Sequence, residues 1–521
     1  MNEQYDVAVV GSGFAGSLTA MIAHRLGLRT VLLERGRHPR MVIGESSTPL
    51  SNLLLEELAV HYDLPALRPL SKWGSWQQSH PKLACGLKRG FSFFHHTPGS
   101  AATIERKNQL LVAASPNDTI GDTHWYRADF DAFLVHEAQR QGVDYLDEVE
   151  LREFAEQPDG AVLRGSRDGN ELHITAQFVV DATGQRGFLH HALNLGELPL
   201  PGLPATQSLY SHFRGVRRLD QMNAVTLDAA PPYPMDDAAV HHLFDGGWIW
   251  VLRFSNGITS AGIAATDELA GELRLAEGAP AWDRVLARFP ILQQQFAQAE
   301  AVQPFRHLPR LSFRSASITG QRWALLPSAV GFADPLLSTG FPLALLGVAR
   351  LAEIFERHWG REEFATRLAD YAAKTDAELF AASRLIAALY ANLDNFRVFS
   401  ALTLLYFAAV SYAETARRLG KPELAPSYLL YDQPQFGAAC TEILARAHGL
   451  RSAAESDDLI ESIYCAIEPI DVAGLTHRDR RNWYPVEAED LLGAGHKVQA
   501  SRDEIIAMLK RCGFDPATLP A

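Results

Sequence analysis

Cysteine is scarce in this chain, which has four in 521 residues. Cys85, Cys440, Cys465 and Cys512 are widely separated, with no Cys-x-x-Cys pair and no spacing typical of a metal site. This scarcity excludes a disulfide framework and is typical of reduced thiols in a cytoplasmic protein. We expect Cys85, the one nearest the candidate functional residues, to be a packed apolar side chain.

Positive charge is also in short supply. The chain has 48 Lys and Arg against 61 Asp and Glu, a net charge of −13, and it has no basic run. That balance argues against nucleic-acid binding as the main function. Long apolar runs are lacking as well, since the most apolar stretch, Ala401–Val410, is too short to span a bilayer. The first strand begins at Tyr5, which leaves no room for a signal peptide ahead of it.

Candidate metal ligands are few. The adjacent pairs His95-His96 and His241-His242 fall in strand-like segments. Neighbouring residues on a strand point to opposite faces of the sheet, which is a poor arrangement for joint ligation. We therefore expect no metal site. Either His95 or His96 is expected to line the substrate side.

A glycine-rich turn at the start of the chain is the strongest local signal. A strand, the turn, a helix and a second strand that ends in an acid follow one another: Tyr5–Val10, Gly11–Gly16, Ser17–Arg25, Thr30–Leu33, Glu34 and Arg35. This order is typical of a unit that binds a dinucleotide, and a coincidental glycine-rich turn is the alternative.

Each glycine of the turn has a physical role in such a unit. Gly11 permits the tight turn, Gly13 lets the backbone approach a pyrophosphate, and Gly16 lets the helix pack close to the strand. Phe14 and Ala15 begin the helix, whose free N–H groups and partial positive charge favour phosphates. Glu34, followed by Arg35, is placed to accept hydrogen bonds from a ribose.

Three later residues indicate which dinucleotide is bound. Asp181 ends an apolar strand, Asp334 precedes a proline near a helix start, and Arg127 begins an Arg-x-x-x-Asp pattern. Together with the glycine turn these resemble the FAD site of the flavin monooxygenase superfamily. The resemblance implies FAD, with the second acidic stretch at the ribityl chain. Ordinary capping and salt-bridge roles for Arg127 and Asp334 remain the alternative.

The same resemblance implies a fold class. We expect an α/β protein with a Rossmann-like FAD-binding core of the glutathione-reductase or p-hydroxybenzoate-hydroxylase type, an inserted β-rich substrate domain and a helical C-terminal region. Two domains are expected: an FAD-binding, monooxygenase-like module at 1–360 and a helical region at 361–521. Within the first, residues 1–70, 105–190 and 315–360 are expected to be mainly FAD-binding. Residues 71–104 and 191–314 are expected to form mainly the substrate-side sheet.

Three further stretches narrow the resemblance to the flavin-dependent halogenases, and to members that act on phenols or pyrroles. Gly44-Glu45-Ser46-Ser47-Thr48-Pro49 is similar to a loop beside the flavin, Cys85–Phe93 to the stretch with the catalytic lysine, and Gly247–Arg253 to the Trp-x-Trp-x-Ile-Pro signature. The resemblance implies catalytic roles for Lys88 and Glu45 and cofactor contact for Ser47. A surface position for Lys88 is the alternative reading.

The family chemistry explains these residue types. Reduced flavin, oxygen and halide yield hypohalous acid, which an ammonium can hydrogen-bond or take up as a haloamine. Lys88 fits this role because an apolar site also lowers the pKa of a lysine. Ser338, Thr339 and Gly340 stand where the family binds halide, chloride or bromide, and Gly340 is also expected at the cofactor. A helix cap is the alternative there.

Two departures from the family pattern bear on the substrate. Arg253 replaces the signature proline, although both tryptophans are kept, as Trp248 and Trp250. The resemblance implies that they shield the flavin from substrate, and ordinary core packing is the alternative. Leu337 stands where tryptophan halogenases carry a glutamate. The lack of this glutamate favours a substrate whose ring is already activated by its own substituents or heteroatom, such as a phenol, resorcinol or pyrrole. The resemblance also implies a role in secondary metabolism, in antibiotic biosynthesis.

Partners follow from what is missing. The chain has no second glycine fingerprint, so reduced FAD is expected to come from a separate reductase. The substrate is expected to be a small aromatic molecule. Whether it is free or tethered to a carrier protein stays open, and so does a homodimer. Two other functions also stay open: a flavin monooxygenase or dehydrogenase on the same scaffold, kept because of Arg253, and a non-catalytic flavoprotein that binds a partner through its helical tail.

Overall fold

The computed structural model describes residues 2–99, 104–222, 225 and 229–514. The strands in these ranges are β1 (Asn2–Val10), β2 (Thr30–Leu33), β3 (Cys85–Lys88), β4 (Gly90–His95), β5 (Gln109–Ala113), β6 (Asp122–Trp125), β7 (Asp144–Leu146), β8 (Val149–Gln157), β9 (Gly160–Arg167), β10 (Asn170–Asp181), β11 (Thr206–Arg214), β12 (Ala239–Phe244), β13 (Gly247–Arg253), β14 (Thr259–Thr266), β15 (Glu300–Ala301), β16 (Arg306–Leu308), β17 (Phe313–Arg314), β18 (Trp323–Leu325), β19 (Gly331–Phe332) and β20 (Trp483–Tyr484).

The helices are α1 (Phe14–Arg25), α2 (Pro49–His61), α3 (Trp73–Ser79), α4 (Arg127–Gln141), α5 (Phe188–Ala192), α6 (Asp267–Leu273), α7 (Ala279–Ala287), α8 (Pro290–Gln295), α9 (Pro327–Val330), α10 (Gly340–His358), α11 (Phe364–Tyr390), α12 (Phe396–Arg418), α13 (Pro434–Arg446), α14 (Ala453–Ile467), α15 (Ala488–Gly493) and α16 (Arg502–Cys512).

The first sheet has the order β7-β2-β1-β10-β9-β8, and β18 also pairs with β10. Its central strands are parallel and almost wholly apolar, as expected where both faces are covered. Val10 of β1 lies beside Leu33 of β2 and beside Asp181 of β10. The carboxyl ends of three strands therefore meet at one edge, which is where open α/β sheets bind ligands. This arrangement confirms the expected Rossmann-like core.

The second sheet has the order β15-β11-β14-β13-β12-β4-β5-β20, with β16 beside β11. Most of its pairs are antiparallel, and it forms the β-rich part expected from the alternating pattern. β5 belongs to this sheet, although it falls in the 105–190 range expected to be mainly FAD-binding. β20, from the C-terminal region, pairs in parallel with β5 and ties that region to the sheet.

A short two-stranded sheet, β3 with β6, lies beside these two sheets. Ser46 bridges to His124 of β6, and Gly86 of β3 lies against the backbone of Arg253 at the end of β13, where a Cβ would come within 1.9 Å of the carbonyl oxygen. This small sheet therefore joins the loop that follows the first βαβ unit to the second sheet. It carries Lys88 at its last position.

The C-terminal region is helical, as expected. Among the described residues beyond 360, β20 is the only strand. Two helical segments, Leu336–His358 and Phe396–Arg418, are long and apolar enough to cross a membrane, and 72% and 83% of their most apolar windows are buried inside the protein. The sequence predicts that the apolar stretch Ala401–Val410 is too short to span a bilayer. The helix that contains it has 23 residues and is long enough, so the prediction is wrong about length. Its burial is that of a helix in a protein core.

Candidate active site

A cavity of about 1070 Å³ opens at the carboxyl ends of β1, β2 and β10. Parts of both sheets and the start of α10 form its walls. The residues singled out from the sequence that line it are Gly11, Gly13, Phe14, Ala15, Glu34, Arg35, Glu45, Arg127, Trp248, Trp250, Ser338, Thr339 and Gly340. Segments that are distant in sequence thus converge on one space.

The glycine turn is built for close approach. Gly11 has φ +99°, and a Cβ there would lie 2.7 Å from the carbonyl carbon of Ala182. A Cβ on Gly16 would lie 1.9 Å from the carbonyl oxygen of Gly11. α1 begins after Gly13 with no side-chain cap, and its first N–H groups have no partner within the helix. Because the first turn of α1 borders the cavity, this cradle fits a pyrophosphate.

Glu34 is held in its ionised form at the wall of the cavity. Its carboxylate accepts hydrogen bonds from the Ser12 N–H at 3.1 Å and the Gly36 N–H at 2.9 Å, and it pairs with Arg40 at 3.0 Å. Burial alone would raise the pKa of Glu34, but Arg40 and the two N–H donors lower it to about 2. A permanently charged acceptor fits the hydroxyls of a ribose.

Arg127 connects α4 to the loop that carries Glu45. Its Nε and Nη2 donate to the two oxygens of buried Asp131 at 2.7 and 2.8 Å. Its Nη1 donates to the carbonyl oxygen of Gly44 at 2.9 Å. The guanidinium also lines the cavity, so it combines the salt-bridge alternative with a position beside the expected cofactor.

Asp181 and Asp334 are fully engaged inside the protein, and neither lines the cavity. Asp181 accepts from the N–H groups of Thr183 at 2.8 Å and Leu189 at 2.6 Å. Asp334 accepts from the Leu336 N–H and from Tyr390 and Trp248, and burial raises its pKa to about 7.

The Asp334 carboxylate itself does not face the cavity, and the expected contact of its acidic stretch with a ribityl chain stays a prediction. A buried carboxylate needs hydrogen-bond donors, and the protein supplies them all. Ala182, Thr183, Ala333 and Pro335, the neighbours of the two aspartates, do line the cavity. Both carboxylates thus shape the loops that form its wall.

Lys88 is fully buried, which rules out the surface reading. Its ammonium donates to the Ser46 hydroxyl at 2.9 Å and to the Ser47 carbonyl oxygen at 2.5 Å, and lies 3.7 Å from the centre of the Phe91 ring. Burial lowers the pKa of Lys88, while Asp122 opposes that change. Ser47 itself lies outside the cavity lining, because its hydroxyl donates to the Thr123 carbonyl.

A second, smaller cavity of about 170 Å³ has Phe91, a contact of Lys88, in its lining. Phe91, which holds the ammonium on its face, lines the small cavity, and Ser46, which accepts its hydrogen bond, lines the large one. Lys88 therefore contacts one wall residue of each cavity. The small cavity is walled mainly by β5, α12 and the C-terminal region, with Tyr406 and Phe407 among its aromatic residues.

Glu45 lies in the wall of the large cavity with one oxygen unused. Oε1 is 2.9 Å from Nε2 of the buried His212. Oε2 is buried and has no hydrogen-bond partner among the described residues. A buried acceptor at a cavity wall is an expensive feature unless a ligand or water satisfies it. This observation fits a site that holds a polar cofactor.

The Trp-x-Trp pair belongs to the wall of the large cavity. Trp248 and Trp250 both line the large cavity and are almost completely buried. Arg253 turns away from the cavity, donating to Asp236 at 2.9 Å and to the Val216 carbonyl oxygen at 2.9 Å. The departure from the signature proline is therefore a structural tie, and it leaves the tryptophans in position.

The segment before α10 has unusual backbone geometry. Leu337 and Ser338 have φ of +64° and +55°, a region that side chains rarely adopt. Ser338, Thr339 and Gly340 all line the large cavity, and the first N–H groups of α10 have no partner within the helix. This is a concave, electropositive backbone suited to a small anion.

The histidine expectation is partly wrong. His95 and His96 line neither cavity, because His95 contacts the Leu393 carbonyl oxygen and His96 lies 2.9 Å from Nδ1 of His242. His241 lines the large cavity instead, stacked on Phe93. Within the described part of the chain, no group of three or more His, Cys, Asp or Glu is placed to hold a metal ion.

Sequence reasoning missed three residues, two of them beside Lys88 and one beside Asp334. Asp122 is its cross-strand neighbour, Asn52 donates to Asp122, and Tyr390 holds Asp334. None of the three belongs to a recognised motif. The only signal in the sequence is that a polar residue stands among apolar neighbours.

Comparison with known proteins gives the family. The model of the family described as tryptophan halogenase matches residues 122–395, more than half of the chain. Over 521 aligned residues the chain is 25% identical to the monodechloroaminopyrrolnitrin halogenase of Pseudomonas fluorescens, covering 97% of this chain and 89% of the relative. It is 31% identical to the tetracycline 7-halogenase of Kitasatospora aureofaciens over 350 residues, 64% of this chain and 60% of that relative.

Solved structures agree on the fold. The crystal structure of the halogenase PltM in complex with phloroglucinol and FAD superposes with a TM-score of 0.81, at 23% identity, over 92% of this chain and 99% of that one. With the cavity, the glycine cradle and the family match taken together, the chain belongs to the tryptophan halogenase family, and is a flavin-dependent halogenase that uses FAD and halide.

Proposed function

We propose that this enzyme transfers chlorine or bromine to an electron-rich, phenol- or pyrrole-like small molecule through Lys88, using reduced FAD and O2. The observation that carries the proposal is the position of Lys88, whose ammonium touches Ser46 of the large cavity and Phe91 of the small one. A buried amine between two cavities suits the transfer of a reactive species from one to the other.

The large cavity is the proposed FAD site. The first turn of α1 with Gly11, Gly13 and Gly16 holds the pyrophosphate, Glu34 accepts from a ribose, and Arg127 holds the wall beside the loop of Glu45. When bound, reduced FAD supplies, with O2 and halide, the oxidising equivalent that produces hypohalous acid. Trp248 and Trp250, on β13 of the second sheet, form part of the wall of this cavity and so exclude a ring-sized substrate from the flavin.

The backbone of Ser338, Thr339 and Gly340 is the proposed halide site. Two successive residues of positive φ precede α10, whose first residues line the cavity, and a helix N-terminus favours an anion there. Glu45 lies in the same cavity, with Oε2 free to hold a polar group.

The small cavity is the proposed substrate site. Its volume of about 170 Å³ suits a single aromatic ring, since an apolar cavity of about 150 Å³ in another protein holds benzene. Phe91, Tyr406 and Phe407 offer ring faces, and Glu414 with Arg418 adds a polar wall. Leu337, in place of a glutamate, is fully buried and provides no base, which supports a self-activated ring.

Further parts of the proposal concern partners and organisation. A separate reductase supplies reduced FAD. The substrate is a free molecule, whereas a related protein from Pseudomonas fluorescens is named as the chlorinase of a pyrrole-2-carbonyl group on a peptidyl carrier protein. The enzyme is proposed to work in the cytoplasm. Residues 1–360 form the FAD-binding module with its substrate-side sheet, and 361–521 form the helical region. A homodimer is the proposed oligomer to test first.

The test supplies FADH2, oxygen, bromide or chloride and a panel of phenol, resorcinol and pyrrole compounds, and reads products by mass spectrometry. We expect halogen isotope patterns from the wild type and from Lys82→Ala, an exposed control, and none from Lys88→Ala. Equal product profiles for the wild type and Lys88→Ala would overturn the role of Lys88. Oxygenated, halogen-free products independent of halide would decide for a monooxygenase.

A further inference from the structure

Lys88 has a buried carboxylate directly opposite it. In the antiparallel pair of β3 and β6, the cross-strand partner of Lys88 is Asp122. Cross-strand partners stand side by side and interact strongly when both are charged. Asp122 is 6% exposed and Lys88 is completely buried, so water screens this pair little.

Asp122 is only half satisfied by the protein. Its Oδ1 accepts from the side-chain amide of Asn52 at 2.8 Å. Its Oδ2 is buried and has no hydrogen-bond partner among the described residues. Burial of a carboxylate with one unsatisfied oxygen lowers the stability of the protein, so packing alone does not explain Asp122. Its position beside the Lys88 ammonium indicates a role in the charge of the site.

The other titratable groups that face Lys88 and Asp122 are either neutral or paired with one another. His124 on β6 and His241 on β12 are buried, and burial lowers the pKa of both, so they are neutral. Glu414 and Arg418 on α12 face Asp122 but pair with each other at 2.7 Å. The charge of Lys88 is therefore balanced by Asp122.

We propose that Asp122 is the positioning residue that keeps Lys88 in its charged, proton-donating form during halogenation. This inference rests on the proposed function of Lys88. The charged amine donates a proton to the oxygen of hypohalous acid as the oxygen–halogen bond breaks and the ring carbon–halogen bond forms. Water leaves, and the proton lost from the ring carbon restores the charge of the Lys88–Asp122 pair.

The physical reason is the cost of a lone buried charge. Burial disfavours the ammonium, and a nearby carboxylate favours it. Burial lowers the pKa of Lys88 and raises that of Asp122, and each partner opposes the change in the other. Removal of the carboxylate therefore leaves burial unopposed, and the ammonium persists only at lower pH.

The first test is the pH profile of halogenation for the wild type, Asp122→Asn and Asp236→Asn. Asp236 is a buried aspartate whose partner is Arg253 and not Lys88, and it serves as the matched control. We expect the falling limb of the profile to move to lower pH by roughly one unit or more in Asp122→Asn. An unmoved limb, or an equal shift in Asp236→Asn, would overturn the proposal.

The second test needs no turnover. Thermal unfolding of Lys88→Met, Asp122→Asn and the double variant forms a double-mutant cycle. Each single change strands a buried charge, so we expect the double variant to melt higher than the sum of the two single losses implies. Additive losses would overturn the pairing. If the wild type makes no halogenated product, the proposed function fails, and this cycle still tests the pair.

Discussion

The indole N–H of Trp248 donates a hydrogen bond to Oδ1 of Asp334 at 3.2 Å. Two sequence motifs that lie far apart are thus joined inside the protein, and the hydroxyl of Tyr390 donates to the second oxygen at 2.8 Å. The tryptophan that lines the large cavity is held in orientation by the loop that precedes α10. The orientation of a tryptophan in the wall of the large cavity therefore depends on a buried carboxyl group.

The contribution of the Asp334 carboxyl group to the stability of the folded protein is expected to depend on pH. Burial raises the pKa of Asp334 to about 7, so the group stabilises the folded state most when it is protonated, and this contribution is lost as pH rises through about 7. We expect the melting temperature of the wild type to rise relative to Asp334→Asn as pH falls from about 7 to about 4. Differential scanning calorimetry across this range measures it. Parallel curves would contradict the assignment.

Replacement of Glu34 by glutamine is expected to weaken FAD binding. The change removes a charged acceptor at the ribose position, and hydrogen bonds to charged groups contribute about 1.5–3 kcal/mol, so the dissociation constant should rise by roughly tenfold or more. Flavin fluorescence titration of the apoprotein measures this constant. Glu148→Gln, at a partly exposed carboxylate, is the control and should leave the constant unchanged.

Gly16→Ala is expected to disrupt the dinucleotide cradle. Its Cβ would meet the carbonyl oxygen of Gly11 at 1.9 Å, so the helix must move away from the strand. Overpacking of this kind costs about 1–3 kcal/mol of stability, and the shifted helix loses its place at the pyrophosphate. Denaturant unfolding and FAD retention on a desalting column report the two effects.

Gly271→Ala provides the comparison for this prediction. Gly271 lies in α6, and a Cβ there meets nothing within 4 Å. This substitution should retain FAD, and should stabilise the helix slightly, because alanine is the better helix former. Equal loss of FAD in both variants would show that the close approach at Gly16 is not the cause.

Filling the small cavity is expected to block substrate and spare the cofactor. Val410 of α12 lines this cavity, and tryptophan in its place occupies the space proposed for the ring. We expect kcat/KM for halogenation to fall while FAD affinity stays the same. Val302→Trp, at an exposed position, is the matched control. Unchanged kinetics in Val410→Trp would move the substrate site elsewhere.

Much of the second sheet was predictable from alternation alone. The alternation of apolar and polar residues predicts strands at 208–214, 240–244, 248–254 and 260–264. They correspond to β11, β12, β13 and β14, with ends that differ by no more than two residues. Period-two patterns are local, so they survive without knowledge of the partners. By contrast, residues 71–99 are rich in Trp, Gly, His and Phe and show no helical period, so the sequence predicts loops and short strands there. The structure instead forms the helix α3 at Trp73–Ser79.

The sequence by itself determined the glycine turn, the acid at the end of β2, the Trp-x-Trp strand and the helical tail, since these depend on spacing and on backbone conformation within a few residues. Only the tertiary structure decided that Asp334 faces Trp248, that Arg253 pairs with Asp236, and that Asp122 stands opposite Lys88. Those partnerships depend on which strands pair and in which register. A buried charge takes the partner that folding brings within reach, and no local pattern encodes that choice.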